Sequence, residues 1–262
     1  MPVSDLDLLL DAAAGAGRIA MRYWRQSPQV WEKDAGAGPV TEADLAVNDW
    51  LSGHLRAARP GYGWLSEETP DNPDRLTAQH CFIIDPIDGT RAFIDGDPGF
   101  SHSLAIARDG HVTAAVVHLP ARGLTYAAAA DGPATLNGRP LRVSGTGLPD
   151  AVVLTGKPTL SPVLWQGGAA PGFRRSFRPS LAWRICLVAE GRFDVAMSLR
   201  PAWEWDIAAG SLIAQRAGAV VSDRHGAALR FNSETGLADG LIVANPALHE
   251  QISGRLLRDP AV

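Results

Sequence analysis

Two closely spaced acidic residues are the part of this sequence most suited to chemistry. Asp85 and Asp88 stand three residues apart in the segment IIDPIDGTRAFI (83–94), with Pro86 between them. Carboxylates held so close repel each other, which raises their affinity for a proton or calls for a cation. Hard divalent ions prefer oxygen ligands, and the chain has no His-x-x-x-His or Cys-x-x-Cys pair to offer zinc. The segment therefore predicts a Mg²⁺ site, with Mn²⁺ as a substitute.

Four further acids belong to the candidate set: Asp44, Glu67, Glu68 and Asp206. Taken singly, each has a structural explanation as a helix cap, a charge in the first turn of a helix, or a solvated loop charge. Taken together, the acids favour a built site, because the end of a strand and the start of a helix hold side chains with little slack.

Gly89 and Thr90 add a second kind of group directly after the acids. We expect Asp85 to end a strand at Pro86 and a helix to begin at Asp88, where free backbone N–H groups would face an anion. Metal ions beside such a helix start describe a phosphate site. Two metal ions about 3.5–4 Å apart can activate a water and stabilise the leaving oxygen of a phosphoryl displacement.

The elements that position these residues follow from hydrophobic spacing. Helices are predicted over residues 4–25, capped by Ser4, and after Thr41, with Leu45 among the inward positions of the second helix. From Cys81 onward, short β-like runs with Asp-Gly breaks indicate an antiparallel meander. Beyond a break at 143–150, strand and helix patterns alternate, which predicts an α/β arrangement.

Composition limits the classes of partner. The chain has 262 residues, 46% of them hydrophobic, and a net charge of -4, so it is expected to be a globular protein without a basic field for nucleic-acid polymers. The basic cluster at 174–178 is expected to be a solvated loop, with a phosphorylated ligand as the alternative. The N-terminal run carries acids and has neither a signal peptide nor a membrane span, so the cytoplasm is the expected compartment.

The acidic blocks resemble the inositol monophosphatase superfamily of Mg²⁺-dependent, lithium-sensitive phosphomonoesterases. Four blocks occur in the family's order: VTEAD (40–44), SEE (66–68), DPIDGT (85–90) and WDIAAG (205–210). The segments LNGRPLRVS (136–144) and AGAVVSDRHG (217–226) are also similar. The resemblance implies a layered αβαβα sandwich of the α/β class. It divides into an α+β half (1–146) and an α/β half (147–262), with the site between them and a homodimer as the assembly.

The resemblance also assigns roles to single residues. Glu67, Asp85 and the carbonyl of Ile87 would hold one metal ion, and a weaker third ion would share Glu67. A second ion would be held by Asp85, Asp88 and Asp206.

The remaining roles concern water and phosphate. Thr90, hydrogen-bonded to Asp44, would with Glu67 position and activate the attacking water. The N–H groups of Gly89 and Thr90 would hold the phosphate, and Lys33 would add positive charge nearby.

The substrate is a separate question. Arg200 lies in the region where inositol-specific members carry an acid that accepts inositol hydroxyl protons, and a cation cannot do this. The segment RPAWEWDIAAG is closer to bacterial members that cleave 3'-phosphoadenosine 5'-phosphate, with Arg200 meeting the second phosphate. The alternatives are inositol monophosphate, then histidinol phosphate. A non-catalytic anion-binding or scaffold protein is the alternative of a different class.

Overall fold

The computed structural model of the chain describes residues 3–33 and 38–257. The helices in these residues are Asp5–Tyr23 (α1), Glu42–Ala58 (α2), Thr90–Ile94 (α3), Leu181–Ala189 (α4), Glu204–Arg216 (α5) and Pro246–Ser253 (α6). The strands up to residue 140 are Val30–Glu32 (β1), Pro39–Thr41 (β2), Gly63–Ser66 (β3), His80–Asp88 (β4), Ser101–Arg108 (β5), His111–Leu119 (β6), Leu124–Ala129 (β7), Thr135–Leu136 (β8) and Arg139–Pro140 (β9). The later strands are Val152–Leu154 (β10), Arg174–Ser176 (β11), Val195–Ser198 (β12), Ala202–Trp203 (β13), Val220–Ser222 (β14), Leu237–Ala238 (β15) and Leu241–Ala244 (β16).

A seven-stranded sheet has the order β3-β4-β5-β6-β7-β8-β9. Its first pair, β3 and β4, is parallel, and the other pairs are antiparallel, as the predicted meander requires. Successive side chains of a strand point to opposite faces. Accordingly Phe82 and Ile84 pack with α1 and α2, whereas Ile83 packs with α4 and α5. Both faces of the sheet are therefore buried.

A second sheet of five strands has the order β11-β10-β12-β16-β14. Its strands alternate in the same way, so that Val243 faces α4 and α5 while Ile242 faces α6 and Trp165. The layers run from α1 and α2 through the first sheet, α4 and α5, and the second sheet to α6. This is the predicted αβαβα sandwich.

The two long N-terminal helices begin where the sequence predicts. Ser4 caps α1 by accepting a hydrogen bond from the N–H of Asp7, and Thr41 and Asp44 form a capping box at the start of α2. The prediction for Leu45 is wrong, because 40% of this residue is exposed. Within residues 3–33 and 38–257, each helix is too short or too polar to pass through a bilayer.

The backbone around the acids departs from the prediction in two places. Strand β4 does not end at Asp85 but continues through Pro86 to Asp88. No helix begins at Asp88: α3 begins at Thr90 after Gly89, whose φ of 96° lies in the left-handed region. Two short ribbons complete the surroundings of the acids, β1 paired with β2 and β13 paired with β15.

Candidate active site

A bulge in β4 brings Asp85 and Asp88 together. Asp85 pairs with Ser103 of β5 and Asp88 pairs with Ser101, so two residues of β4 stand opposite His102 alone. In a regular strand, side chains three positions apart would point to opposite faces. The extra residue in the bulge turns the side chains of Asp85 and Asp88 towards each other. Pro86 suits the bulge because it has no N–H to donate to the ladder.

The imidazole of His102 occupies the other side of this bulge. Its Nδ1 lies at hydrogen-bonding distance from the carbonyl oxygen of Pro86. Because a carbonyl oxygen only accepts, Nδ1 carries the proton. His102 is fully buried, and this burial lowers its pKa to about 3, so the ring is neutral at physiological pH. No pattern in the sequence indicates this contact.

Three carboxylates converge at the bulge. One oxygen each of Asp85, Asp88 and Asp206 lies within 4.8 Å of the other two, and Asp206 comes from the first turn of α5. Burial, followed by the charges of Glu67 and Asp88, raises the pKa of Asp85 well above its usual range. Burial and the charge of Asp88 do the same to Asp206. Oδ1 of Asp85 is buried and has no hydrogen-bond partner among the described residues. An unpartnered anionic oxygen among like charges fits the position of a hard cation.

Asp88 is fixed by the start of α4. Its Oδ2 accepts hydrogen bonds from Ser180 Oγ at 2.6 Å and from the N–H of Ala182 at 2.7 Å. Burial raises the pKa of Asp88, and these hydrogen bonds oppose that rise. Since Oδ2 is used in this way, Oδ1 is the oxygen left for the carboxylate cluster.

Asp44 and Thr90 form a hydrogen-bonded pair. Oδ2 of Asp44 accepts from the N–H of Thr41 at 2.9 Å and from the Thr41 hydroxyl. Its Oδ1 lies 3.1 Å from Thr90 Oγ1, which is also 3.1 Å from the carbonyl oxygen of Ile87. Burial raises the pKa of Asp44 to about 6, although the hydrogen bonds from Thr41 and Thr90 oppose the rise. The hydrogen bond between Thr90 and Asp44 that the resemblance implies is therefore present, while the role of the pair in activating water stays a prediction.

Lys33 neutralises the two glutamates beside the cluster. Its Nζ lies 2.7 Å from Oε1 of Glu67 and 2.6 Å from Oε1 of Glu68. The N–H of Glu67 donates to the carbonyl oxygen of Ile84, which holds Glu67 next to β4. Burial raises the pKa of Glu68 to about 7.

The acids line an open cavity of about 500 Å³. The predicted residues on its wall are Glu67, Asp85, Ile87, Asp88, Gly89, Thr90 and Asp206. Arg200 is exposed and is not among the lining residues. The wall also includes side chains to which the sequence assigned no role: Arg91, Pro179, Arg184, Trp203 and Trp205. Phe177 of the basic cluster at 174–178 lies there too, and the expectation of a loop for this cluster is wrong for residues 174–176, which form β11.

Arg184 is the most notable of these additional residues. Its guanidinium lies 4.2 Å from the centre of the Phe177 ring and donates to the carbonyl oxygens of Arg178 and Pro179. Burial lowers the pKa of Arg184, while the charges of Asp88 and Asp206 raise it. A guanidinium is always charged in proteins, so it offsets part of the carboxylate charge.

Comparison with known proteins places this site in a family. The sequence model of the inositol monophosphatase family matches residues 4–259. The chain belongs to the inositol monophosphatase family. The family's members are metal-dependent phosphatases that hydrolyse phosphomonoesters, and this chain is a phosphatase of that family. The predicted family and enzyme class are thus confirmed, and the acidic cluster at the bulge agrees with the family's need for metal.

Relatives within the family have several names. The chain is 35% identical over 241 residues to inositol-1-monophosphatase of Mesorhizobium japonicum, covering 84% of this chain and 86% of that protein. It is 36% identical over 233 residues to Nus factor SuhB of Pseudomonas aeruginosa, covering 83% and 84%. It is 34% identical over 259 residues to histidinol-phosphatase of Chlorobaculum parvum, covering 93% of each. Among solved structures, the IMPase of Thermotoga maritima has a TM-score of 0.80 at 28% identity over 95% of each chain.

Proposed function

We propose that this phosphatase is Mg²⁺-dependent and cleaves a phosphomonoester of a small metabolite, with a 3'(2'),5'-bisphosphate nucleotide as the preferred substrate. The reaction converts the monoester and water into an alcohol and inorganic phosphate. The observation that carries the proposal is the carboxylate of Asp85: its buried Oδ1 has no hydrogen-bond partner among residues 3–33 and 38–257, one of its oxygens lies within 4.8 Å of carboxylate oxygens of Asp88 and Asp206, and it shares a cavity with Thr90.

The donor set supports Mg²⁺ as the ion. Only oxygen atoms are offered by the residues that would hold it: Glu67, Asp85, the carbonyl of Ile87, Asp88 and Asp206. Hard cations prefer such ligands, and Mn²⁺ is a substitute. When bound, the ions polarise the phosphate and lower the pKa of water. The resemblance to a lithium-sensitive family implies inhibition by Li⁺, so activity is expected to fall when Li⁺ is added.

Thr90, Glu67 and Gly89 would orient water and phosphate. With the Thr90 hydroxyl donating to Asp44 Oδ1, the lone pairs of Oγ1 remain free to accept a hydrogen bond from a water, and Glu67 offers a second acceptor. Gly89 adopts a φ of 96°, which glycine tolerates and other residues rarely adopt, and this turn leads into α3, where the N–H groups of Gly89 and Thr90 would bind the phosphate. Asp44 must stay ionised to hold the Thr90 hydroxyl in this orientation.

A neighbouring cavity supports a substrate with a second anionic group. This cavity of about 590 Å³ shares Arg91, Ala92, Phe177 and Pro179 with the acidic one. Three further arginines line it, namely Arg122, Arg178 and Arg192. Asp95 and Asp97 lie on the same wall and offset only part of this charge. We propose that the second phosphate binds here, whereas the sequence assigned it to Arg200.

A substrate panel tests this proposal. Activity towards adenosine 3',5'-bisphosphate, inositol monophosphate and histidinol phosphate is measured with Mg²⁺ and with a chelator. We expect the bisphosphate to have the highest kcat/KM and the chelator to abolish turnover. The absence of Mg²⁺-dependent turnover of all three substrates would contradict the proposal.

Two matched variants locate the second phosphate. Arg91→Gln is expected to raise the KM for the bisphosphate about tenfold, since a hydrogen bond to a charged group contributes about 1.5–3 kcal/mol. Arg200→Gln serves as the control with the same change of charge. If KM rises only in Arg200→Gln, the second phosphate binds at Arg200, as the sequence predicted, and not in the neighbouring cavity.

Two other functions are supported by specific relatives. The names of the Mesorhizobium japonicum and Chlorobaculum parvum proteins favour inositol monophosphate and histidinol phosphate, which the same panel tests. The alternative of a different class, a non-catalytic scaffold, predicts that Asp206→Asn leaves the biological activity intact. The homodimer implied by the family resemblance stays a prediction, which sedimentation of the purified protein measures.

A further inference from the structure

Trp203 lies at the edge of the acidic cavity in a backbone segment that is held by hydrogen bonds. It lies in β13, where it pairs with Leu237 of β15. The next residue, Glu204, donates its N–H to the carbonyl oxygen of Gly236 at 2.8 Å. The buried carboxylate of Glu204 accepts from the N–H of Asn232 at 2.6 Å and from the N–H of Ser233 at 3.0 Å. The backbone on both sides of β13 is therefore held in place.

One face of the Trp203 indole is covered by a second indole. The rings of Trp203 and Trp205 have centroids 4.5 Å apart and planes inclined by 10°. Trp203 nevertheless remains 44% exposed, and both tryptophans line the cavity that contains Asp206. The part of the ring that Trp205 leaves uncovered is thus accessible to an occupant of this cavity.

No cation lies over Trp203 among the residues that the structure describes. Arginine guanidinium groups do cover other aromatic rings, for example Arg25 over Trp24 at 4.3 Å and Arg122 over Trp183 at 4.5 Å. An indole left open in a cavity loses the stabilisation that such a contact provides. An occupant with a flat π surface would supply it in the form of stacking.

We propose that Trp203 determines substrate specificity by stacking on a planar heteroaromatic ring in the leaving group of the phosphomonoester. The proposal rests on the proposed function and adds the chemical class of the group released. A polyol such as inositol has no π face to stack. Two sources carry the required ring, a nucleobase and an imidazole, and the experiment separates them.

The test compares Trp203→Ala with Trp203→Phe. Stacking of a base on an aromatic side chain contributes about 1–3 kcal/mol by alanine substitution, so we expect Trp203→Ala to lower kcat/KM for adenosine 3',5'-bisphosphate about tenfold or more. Trp203→Phe should restore most of it. The loss for inositol monophosphate should be much smaller. A selective loss for histidinol phosphate instead would identify an imidazole as the ring.

The control and a second measurement keep the result interpretable. Leu237 pairs with Trp203 in the ribbon but does not line the cavity. Leu237→Ala should therefore not change the ratio of kcat/KM between substrates. Adenosine 5'-phosphate and inorganic phosphate are then tested as ligands by calorimetry. Trp203→Ala should weaken the nucleotide about tenfold and leave phosphate unchanged.

Two outcomes would overturn the assignment. One is an equal loss for all substrates in Trp203→Ala, which indicates a structural role. The other is unchanged binding of adenosine 5'-phosphate and unchanged kcat/KM for histidinol phosphate in that variant. If wild-type protein hydrolyses no phosphomonoester in Mg²⁺, the proposed function fails, and the calorimetric comparison still decides the role of Trp203.

Discussion

His102 donates a hydrogen bond through Nδ1 to the carbonyl oxygen of Pro86, the residue that joins Asp85 to Ile87 in the bulge of β4. This contact ties the shape of the bulge to a side chain of the neighbouring strand. Outside partners of this kind orient metal ligands, and removing one reduces metal affinity or activity by about 10–100-fold in other sites.

His102→Phe is expected to raise the Mg²⁺ concentration needed for half-maximal activity by about tenfold, because the ring is kept but the donor is lost. The measurement is activity as a function of Mg²⁺. His118, whose ring lies 6.0 Å from that of His102, offers the control His118→Phe. Equal Mg²⁺ requirements in the two variants would show that the hydrogen bond does not shape the site.

Asp206→Asn is expected to stabilise the metal-free protein and to reduce its response to Mg²⁺, because the ion proposed between Asp85, Asp88 and Asp206 loses a ligand. The substitution relieves the repulsion among three acids: burial raises the pKa of all three, and neighbouring carboxylate charges raise the pKa of Asp85 and Asp206 further. In a chelator its Tm should exceed that of the wild type by about 2–4 °C, the shift that corresponds to about 1 kcal/mol. In Mg²⁺ the wild type should gain more stability than the variant. The exposed Asp150→Asn is the control, and a Mg²⁺ response in Asp206→Asn equal to that of the wild type would contradict the assignment.

Protonation of Asp44 is expected to cause the fall of kcat at acidic pH. Its pKa is raised to about 6, and bound cations would lower this value, so kcat should fall with one protonation at or below about pH 6. Asp44→Asn should have low activity without this limb. An unchanged limb in that variant would assign the titration to another group.

The same carboxyl group affects the stability of the metal-free protein in the opposite direction. Because its pKa is higher in the folded state than in the unfolded state, folding favours the protonated form. The stabilisation is fully present below about pH 4 and is lost as the pH rises through about 6. Urea unfolding in a chelator should therefore show a smaller decline between pH 4 and 6 for Asp44→Asn than for the wild type.

Lys33→Met is expected to lower the Tm in a chelator more than in Mg²⁺. Without metal, the lysine neutralises Glu67 and the largely buried side chain of Glu68. A cation held by Glu67 would replace part of the lost charge. Lys157→Met, at an exposed position, provides the matched control. A decrease in Tm that is the same with and without Mg²⁺ would show that Lys33 is independent of the metal site.

The acidic residues were predictable from the sequence, whereas the backbone that carries them was not. Pro86 indicated a break, yet β4 continues because Asp88 pairs with Ser101 of β5. The β-like run that becomes β5 was part of the predicted meander, but its pairing with Asp88 joins residues on either side of α3 and does not show in the local pattern around Pro86.

Other misses have the same origin. Ser180 and Arg184 reach the site from α4, 92 residues beyond Asp88 in the case of Ser180. Strand β3 was missed because four residues next to a proline-rich segment form a strand only by parallel pairing with β4. Leu45 was assigned inward because apolar spacing alone leaves the orientation of a helix uncertain by one position.

The double use of Asp88 has a consequence for how such a protein can diverge. One oxygen secures the first turn of α4 through Ser180 and Ala182, and the other faces the carboxylate cluster. Asp206 has no comparable duty in helix capping. In a lineage released from selection for hydrolysis, Asp206 is therefore expected to drift early, while Asp88 persists because folding still needs it. An aspartate at position 88 alone is consequently a poor marker of catalysis, and aspartates at both positions 88 and 206 are a better one.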